Sequence, residues 1–142
     1  MLRMSKLADY AFIILTQMAQ ETGQTWPASV LAQETTLPLP TVAKLMKLLA
    51  RSSIVTAQRG ASGGYSLMRD PQTISIADII EAVDGPISLT ECAGKALGKP
   101  HCDCAVSKCP TKESWGRVNQ AIRRSLEIVF LSDLIVTETA AG

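Results

Sequence analysis

Four thiols and one imidazole crowd into a single stretch. Cys92, His101, Cys102, Cys104 and Cys109 are every cysteine and the only histidine of the chain, and all lie between residues 88 and 112. Nine residues separate Cys92 from Cys102, one separates Cys102 from Cys104, and four separate Cys104 from Cys109. Structural zinc sites are built from paired C-x-x-C knuckles, and no such pair is present. An iron–sulfur cluster tolerates irregular spacing, because it spans more than one metal and a loop can wrap it. Spacing alone leaves three chemistries open: a cluster, a zinc ion, or a thiol redox switch. The stretch also carries Gly94, Gly98, Pro100 and Pro110, so it is too broken and too polar to be core, and thiol chemistry is its expected task. A catalytic constellation is missing, since the histidine stands alone and no carboxylate pair can be assigned to a pocket. The chain is therefore not read as an enzyme.

The rest of the chain must position that stretch. With 142 residues and 46% hydrophobic content there is material for one domain with a mostly aliphatic core, given six aromatics. No run of about 18 apolar residues occurs, so no membrane span is expected. The N-terminal apolar run is broken by Asp9 and lacks a small-residue cleavage site, so it is not read as a signal peptide. These features predict a cytoplasmic protein, and in a reducing cytosol clustered cysteines point away from structural disulfides.

Charge is unevenly spread. Residues 1–70 hold seven Lys/Arg against four Asp/Glu, whereas residues 71–142 hold seven against nine. Between residues 35 and 69 stand Lys44, Lys47, Arg51, Arg59 and Arg69 with no acidic residue, which is either a small nucleic-acid footprint or a solvated helix face.

The hydrophobic spacing predicts a helix over residues 5–20, capped by Ser5, and a second helix started by Pro27 and ending near Glu34. After Leu37-Pro38-Leu39-Pro40, residues 41–51 form a third. Val42, Leu45, Met46 and Leu49 fall on one face and Lys44, Lys47 and Arg51 on the other. Two short strands, Ile54–Ala57 and Tyr65–Met68, flank the Gly-rich, Arg-bearing tip Arg59–Gly64. A basic helix pair followed by such a hairpin matches a winged helix-turn-helix. Ser75 and Asp78 form a capping box for a helix to about Val83, which Asp84-Gly85-Pro86 stops. Thr111 opens a long helix, Lys112–Phe130, with the apolar stripe Trp115, Val118, Ile122, Leu126 and Val129. That stripe packs either on its own domain or on a second copy of the chain.

Taken together, Ser5–Ala11 (SKLADYA), Arg59–Tyr65 (RGASGGY), Ile76–Val83 (IADIIEAV) and Cys109–Trp115 (CPTKESW) resemble the IscR/NsrR-type winged-helix transcription regulators, including the Suf-system regulators, over about residues 1–136. The resemblance implies a homodimer with crossed C-terminal helices that represses or activates genes according to whether an iron–sulfur cluster is bound. Cys92 and Cys109 fall on the outer two of the family's three ligand positions. Cys102 or Cys104 takes the middle one, because this loop has one cysteine more than the usual pattern. A histidine three residues after the last cysteine serves as fourth ligand in IscR-like members, but here that position is Lys112. NsrR-like members use an aspartate before the helix-one tyrosine, offered by the other subunit, and Asp9 before Tyr10 matches it. The spare cysteine, Asp9 and His101 all remain candidates for that place.

The expected architecture is thus mainly α with a small β-hairpin wing. Residues 1–85 form the winged helix-turn-helix domain, 86–111 the cysteine-rich cluster-binding loop, 112–136 the dimerisation helix with a short last turn, and 137–142 a tail. The expected function is a dimeric repressor of iron–sulfur assembly genes that binds double-stranded promoter DNA. Its cofactor would be a [2Fe–2S] cluster, with [4Fe–4S] as second choice. Thr41, Lys44, Lys47, Arg51, Arg59, Ser62 and Tyr65 are the expected DNA contacts. The rival readings are a winged-helix regulator with a zinc or disulfide switch, and an electron carrier that binds no DNA.

Overall fold

The computed structural model describes residues 3–89 and 110–135. Among the described residues, five helices, α1 (Lys6–Gln20), α2 (Ala28–Thr35), α3 (Leu39–Arg51), α4 (Ile76–Asp84) and α5 (Lys112–Glu127), accompany one antiparallel hairpin, β1 (Val55–Gln58) and β2 (Gly64–Leu67).

Each helix begins where its capping chemistry allows. The Ser5 hydroxyl accepts the Ala8 N–H at 3.1 Å and starts α1. Pro27 and Pro38 stand at the N-caps of α2 and α3, where extended backbone is required and no intrahelical bond is lost. Ser75 and Asp78 make the full reciprocal capping box of α4, Asp78 N–H to the Ser75 hydroxyl and Ser75 N–H to the Asp78 carboxylate.

The α2–α3 turn is made by Thr36, whose φ of 57° lies in the left-handed region and whose N–H points back to Ala32 and Gln33 carbonyls. A β-branched residue is a poor choice there, so the tight turn carries a local strain.

The core is aliphatic. Ala11, Ile14 and Leu15 of α1, Leu31 of α2, Val42, Leu45, Met46 and Leu49 of α3, and Ile79 of α4 are fully buried together with Ile74 and Leu131. The apolar face predicted for α3 is therefore the face that packs.

The hairpin pairs Val55 with Leu67 and Gln58 with Gly64. Trp26 extends it on the other side: its N–H donates to the Tyr65 carbonyl at 2.7 Å and its carbonyl accepts the Tyr65 N–H at 2.8 Å. Gly64 permits that approach, since a Cβ at this position would stand 2.5 Å from the Trp26 carbonyl oxygen. The wing is thus fastened to the strand-like residue that leads into α2.

α5 stops at Glu127, short of the predicted Phe130, because the chain is needed elsewhere. Ile76 N–H donates to the Val129 carbonyl at 2.9 Å, and Leu131 N–H donates to the Ile74 carbonyl at 2.8 Å. Residues 129–131 therefore run antiparallel to residues 74–76, and the 3-10 turn Leu131–Leu134 closes onto α1. No helix among the described residues is long and apolar enough to cross a membrane.

Candidate nucleic-acid interface and the anchored cysteine segment

α3 presents one face to the core and the other to solvent. Lys44, Lys47 and Arg51 are exposed on it, and Thr41 is half-buried near its start. Arg59 and Ser62 are exposed on the wing tip, while Tyr65 is half-buried in β2, its backbone fully engaged by Trp26. The second helix of the pair and the tip of the wing thus carry exposed cations with no carboxylate between residues 35 and 69. That is the charge a duplex backbone calls for, with an exposed helix whose first turn can meet base edges.

Two features of this face were not visible in the sequence. Arg69, counted there in the basic block, turns inward: its guanidinium donates to the Thr73 carbonyl and to Asp78 at 3.2 Å, bracing the α4 capping box. It stabilises the frame under the wing and leaves Lys44, Lys47, Arg51 and Arg59 as the exposed cations of the segment. Leu39, at the first position of α3, is 47% exposed. The prolines on either side masked it as a helix residue, and only the observed start of α3 puts an apolar side chain at the tip of that helix.

Cys92, His101, Cys102, Cys104 and Cys109 lie outside the described residues, as do residues 90–109 as a whole. The chain on either side is described, and both ends belong to α5. On the exit side, Pro110 and Thr111 lead directly into it. On the entry side, the Asn119 side chain of α5 donates to the Ile87 carbonyl at 2.9 Å and accepts the Leu89 N–H at 3.0 Å. Asp9 is exposed in the first turn of α1. Among the described residues no group of three or more His, Cys, Asp or Glu could hold a metal ion.

α5 has two unlike halves. Leu126 packs against the core and Ile122 is half-buried, whereas Trp115 and Val118 are 41% and 43% exposed on the same stripe. Arg123 fastens the helix to α4: its guanidinium donates to both Glu81 oxygens, at 2.7 and 3.4 Å, and pairs with Glu127 at 2.7 Å. The two carboxylates raise the guanidinium pKa above its usual value, Glu81 first by hydrogen bond and charge. Asp84 meanwhile accepts the Ser5 hydroxyl at 2.6 Å, joining the end of α4 to the start of α1.

A family model described as Rrf2, iron-dependent transcriptional regulator, matches residues 4–137. An rrf2-like HTH-type transcriptional regulator of Rhodobacter capsulatus is 29% identical over 138 residues, which cover 94% of this chain and 92% of the relative. The HTH-type transcriptional regulator IscR of Klebsiella pneumoniae is 26% identical over 136 residues, 94% of this chain and 80% of that one. The solved structure of CymR, the global cysteine regulator of B. subtilis, superposes with a TM-score of 0.70 at 28% identity, covering 95% of this chain and 97% of its own. This chain belongs to the Rrf2 family of winged helix-turn-helix transcriptional regulators and is not an enzyme.

Proposed function

We propose that the chain is a homodimeric cytoplasmic repressor that reads promoter DNA with α3 and the wing and senses iron–sulfur or redox status through its cysteine segment. The genes it controls are those for iron–sulfur cluster assembly. The observation that carries the reading is the pairing of two features: exposed cations on α3 and the wing, in a segment (35–69) without an acidic residue, and a four-cysteine segment whose two ends are both held by α5. Thr41 and Lys44 meet base edges, Lys47 and Arg51 the phosphate backbone, and Arg59 the minor groove, with Ser62 and Tyr65 on phosphates. Leu39 meets a thymine methyl, the one apolar group of the major groove. A second copy of the chain covers Trp115 and Val118, because isolated helices keep few bare aromatic stripes.

The donor set fits a cluster. Cys92, Cys102, Cys104 and Cys109 supply the four thiolates that [2Fe–2S] and [4Fe–4S] centres take. Cys92 and Cys109 are the outer ligands, one of Cys102 and Cys104 is the third, and the spare cysteine, Asp9 or His101 completes the set. Asp9 is exposed on α1, so its carboxylate is available to a neighbouring subunit. The [2Fe–2S] form is preferred; bound, it supplies a one-electron centre sensitive to oxidants.

Anaerobic purification tests this. Iron and acid-labile sulfide with visible absorption, lost in each Cys→Ala variant, supports the cluster; comparison with Asp9→Ala identifies the fourth ligand. A colourless protein holding zinc, or one whose DNA affinity follows disulfide formation alone, supports the second reading. That second reading draws on CymR, described as a cysteine regulator.

A further inference from the structure

The last pair of the wing's ladder sets a neutral amide beside the basic tip. Gln58 ends β1 opposite Gly64, so no side chain covers it from the neighbouring strand, and it is exposed. Residues 59–63 then close the hairpin, with the Gly63 N–H donating to the Gly60 carbonyl at 2.9 Å. A Cβ on Gly63 would lie 2.5 Å from the Gln58 carbonyl oxygen, so this side of the tip admits no side chain. Arg59, Ala61 and Ser62 alone project from it. Gln58 itself is held: its Oε1 accepts the Thr25 hydroxyl at 3.2 Å. Thr25 precedes Trp26, whose two backbone bonds to Tyr65 fix it to β2. A glutamine amide carries one acceptor and two donors, and a free one can turn either toward DNA. Here the frame takes the acceptor. The Nε2 group, with no hydrogen-bond partner among the described residues, is what remains for a ligand.

We propose that Gln58 is a specificity-determining residue: next to Arg59, it donates from Nε2 to adenine N3 or thymine O2 and selects an A·T pair under the wing. Thr25 is its positioning residue, since it turns the amide so that donors face outward. The inference rests on the reading of Arg59 as a minor-groove contact. In that groove A·T and T·A pairs present acceptors alone, whereas a G·C pair adds the guanine 2-amino donor. An amide that offers only N–H therefore gains a bond on the first and meets a like group on the second. Arg59 and Gln58 divide the work. The guanidinium supplies charge, which every sequence attracts alike through its phosphates, and the tethered amide supplies the choice between base pairs.

The test uses the full chain and an operator selected from random DNA, with the base pairs under the wing mapped by hydroxyl-radical footprinting. At each A·T pair there, adenine is replaced by 2,6-diaminopurine, which adds the minor-groove amino group and leaves the major-groove hydrogen-bonding edge as it was. At each G·C pair, guanine is replaced by hypoxanthine, which removes that group. One donor–acceptor bond is worth about fivefold, so wild type loses about that much affinity when diaminopurine stands at one position of a half-site. Gln58→Ala is indifferent at that position, and Thr25→Val, whose amide is free to turn, discriminates less than wild type. Neither variant changes the salt dependence of binding, because neither removes a charge. A shallower salt slope in Gln58→Ala means that the wing has moved and taken Arg59 with it; Gln58 is then only a mount, and the inference falls. It falls also if Gln58→Ala responds to diaminopurine as wild type does, or if hypoxanthine weakens wild type, since the amide then presents its oxygen. Selective binding that Arg59→Ala weakens, with no response to any added amino group, sinks the inference and leaves the reading of Arg59 standing. A chain that selects no operator sinks both.

Discussion

Gly64→Ala is the change that most directly probes how the wing is mounted. A Cβ there would lie 2.5 Å from the Trp26 carbonyl oxygen, 2.6 Å from its carbon and 2.7 Å from the Pro27 nitrogen, all backbone atoms that cannot swing aside. Carbon and oxygen meet no closer than about 3.3 Å even in tight backbone contacts, so residues 64 and 26 must part by about 0.8 Å. The two bonds between Trp26 and Tyr65, now 2.7 and 2.8 Å, would then both exceed the usual hydrogen-bond range. Their net loss, with the strain of overpacking, predicts about 2–4 kcal/mol of destabilisation. Gly23→Ala is the matched control: its φ of 84° also disfavours a side chain, but nothing lies within 4 Å of the new Cβ. Only the conformational cost of about 1–2 kcal/mol applies there. Thermal and urea unfolding of both variants give the comparison, and DNA affinity gives the second half. A wing displaced from its mount takes Arg59 with it, and one cation withdrawn from the duplex's phosphate charge is worth about eightfold in affinity at 0.1 M salt. If Gly64→Ala unfolds no more easily than Gly23→Ala, or binds DNA as tightly as wild type, the account of the wing as a part pinned by Trp26 is wrong.

Five further outcomes follow from the same structure. The salt dependence of DNA binding should lose about 0.9 in log–log slope for each phosphate-contacting cation removed, so Lys47→Ala and Arg51→Ala each flatten it by about twice that in a dimer. Arg69→Ala should leave the slope unchanged and lower stability by about 1 kcal/mol, since its partners are Thr73 and Asp78 and its pairing is partly exposed. Thr36→Gly should stabilise by about 0.5–1 kcal/mol, because the left-handed turn then carries no β-branched side chain; an unchanged or lower melting temperature contradicts the strain assigned to that turn. A Trp115→Asp/Val118→Asp double variant should elute as a folded monomer in size-exclusion chromatography, because both side chains are exposed in the single chain. On an operator selected from random DNA, replacing a contacted thymine by uracil should weaken wild type about three- to tenfold and leave Leu39→Ala indifferent.

What the sequence disclosed is what local physics decides. Ser5 and the Ser75–Asp78 box mark helix starts because a cap is satisfied within four residues of itself. The α3 face is legible because one helix face must be apolar, and the wing because Gly-rich tips close hairpins. What stayed hidden depends on partners distant in the chain. Arg69 looks like a DNA-facing cation until Asp78 is beside it. The end of α5 is set by Ile74 and Ile76, more than fifty residues earlier, which draw residues 129–131 out of a pattern that would otherwise continue as helix. Asn119 carries no local signal at all: an asparagine in mid-helix reads as a weak helix former, and its use appears only when residues 87–89 lie beside it. Of the candidate site, the exposed placement of Lys44, Lys47, Arg51 and Arg59 was therefore legible from the helix and hairpin patterns, and the cysteine segment from composition and spacing, without the helix that holds its two ends.

α4 explains how those halves can act on one another. Asp78, Glu81 and Asp84 stand three residues apart along this short helix, and each takes its partner from a different element: Arg69 from the exit of the wing, Arg123 from α5, Ser5 from the cap of α1. Residues spaced by three are neighbours on a helix but step round it by about 60° each, so the wing, the anchored helix and the first helix meet α4 over about a third of its circumference. Such half-exposed pairs contribute little to stability; the packing of Leu126 and the burial of Ile79 on the core do that. Their value is geometric. A bidentate Arg123–Glu81 pair fixes the rotation of α5 on α4, and Arg69 fixes where the wing leaves the domain relative to the same helix. α4 also packs on α3, so the helix that carries Lys44, Lys47 and Arg51 shares one frame with α5. A rigid short helix with three tied edges transmits a tilt where a flexible linker would absorb it.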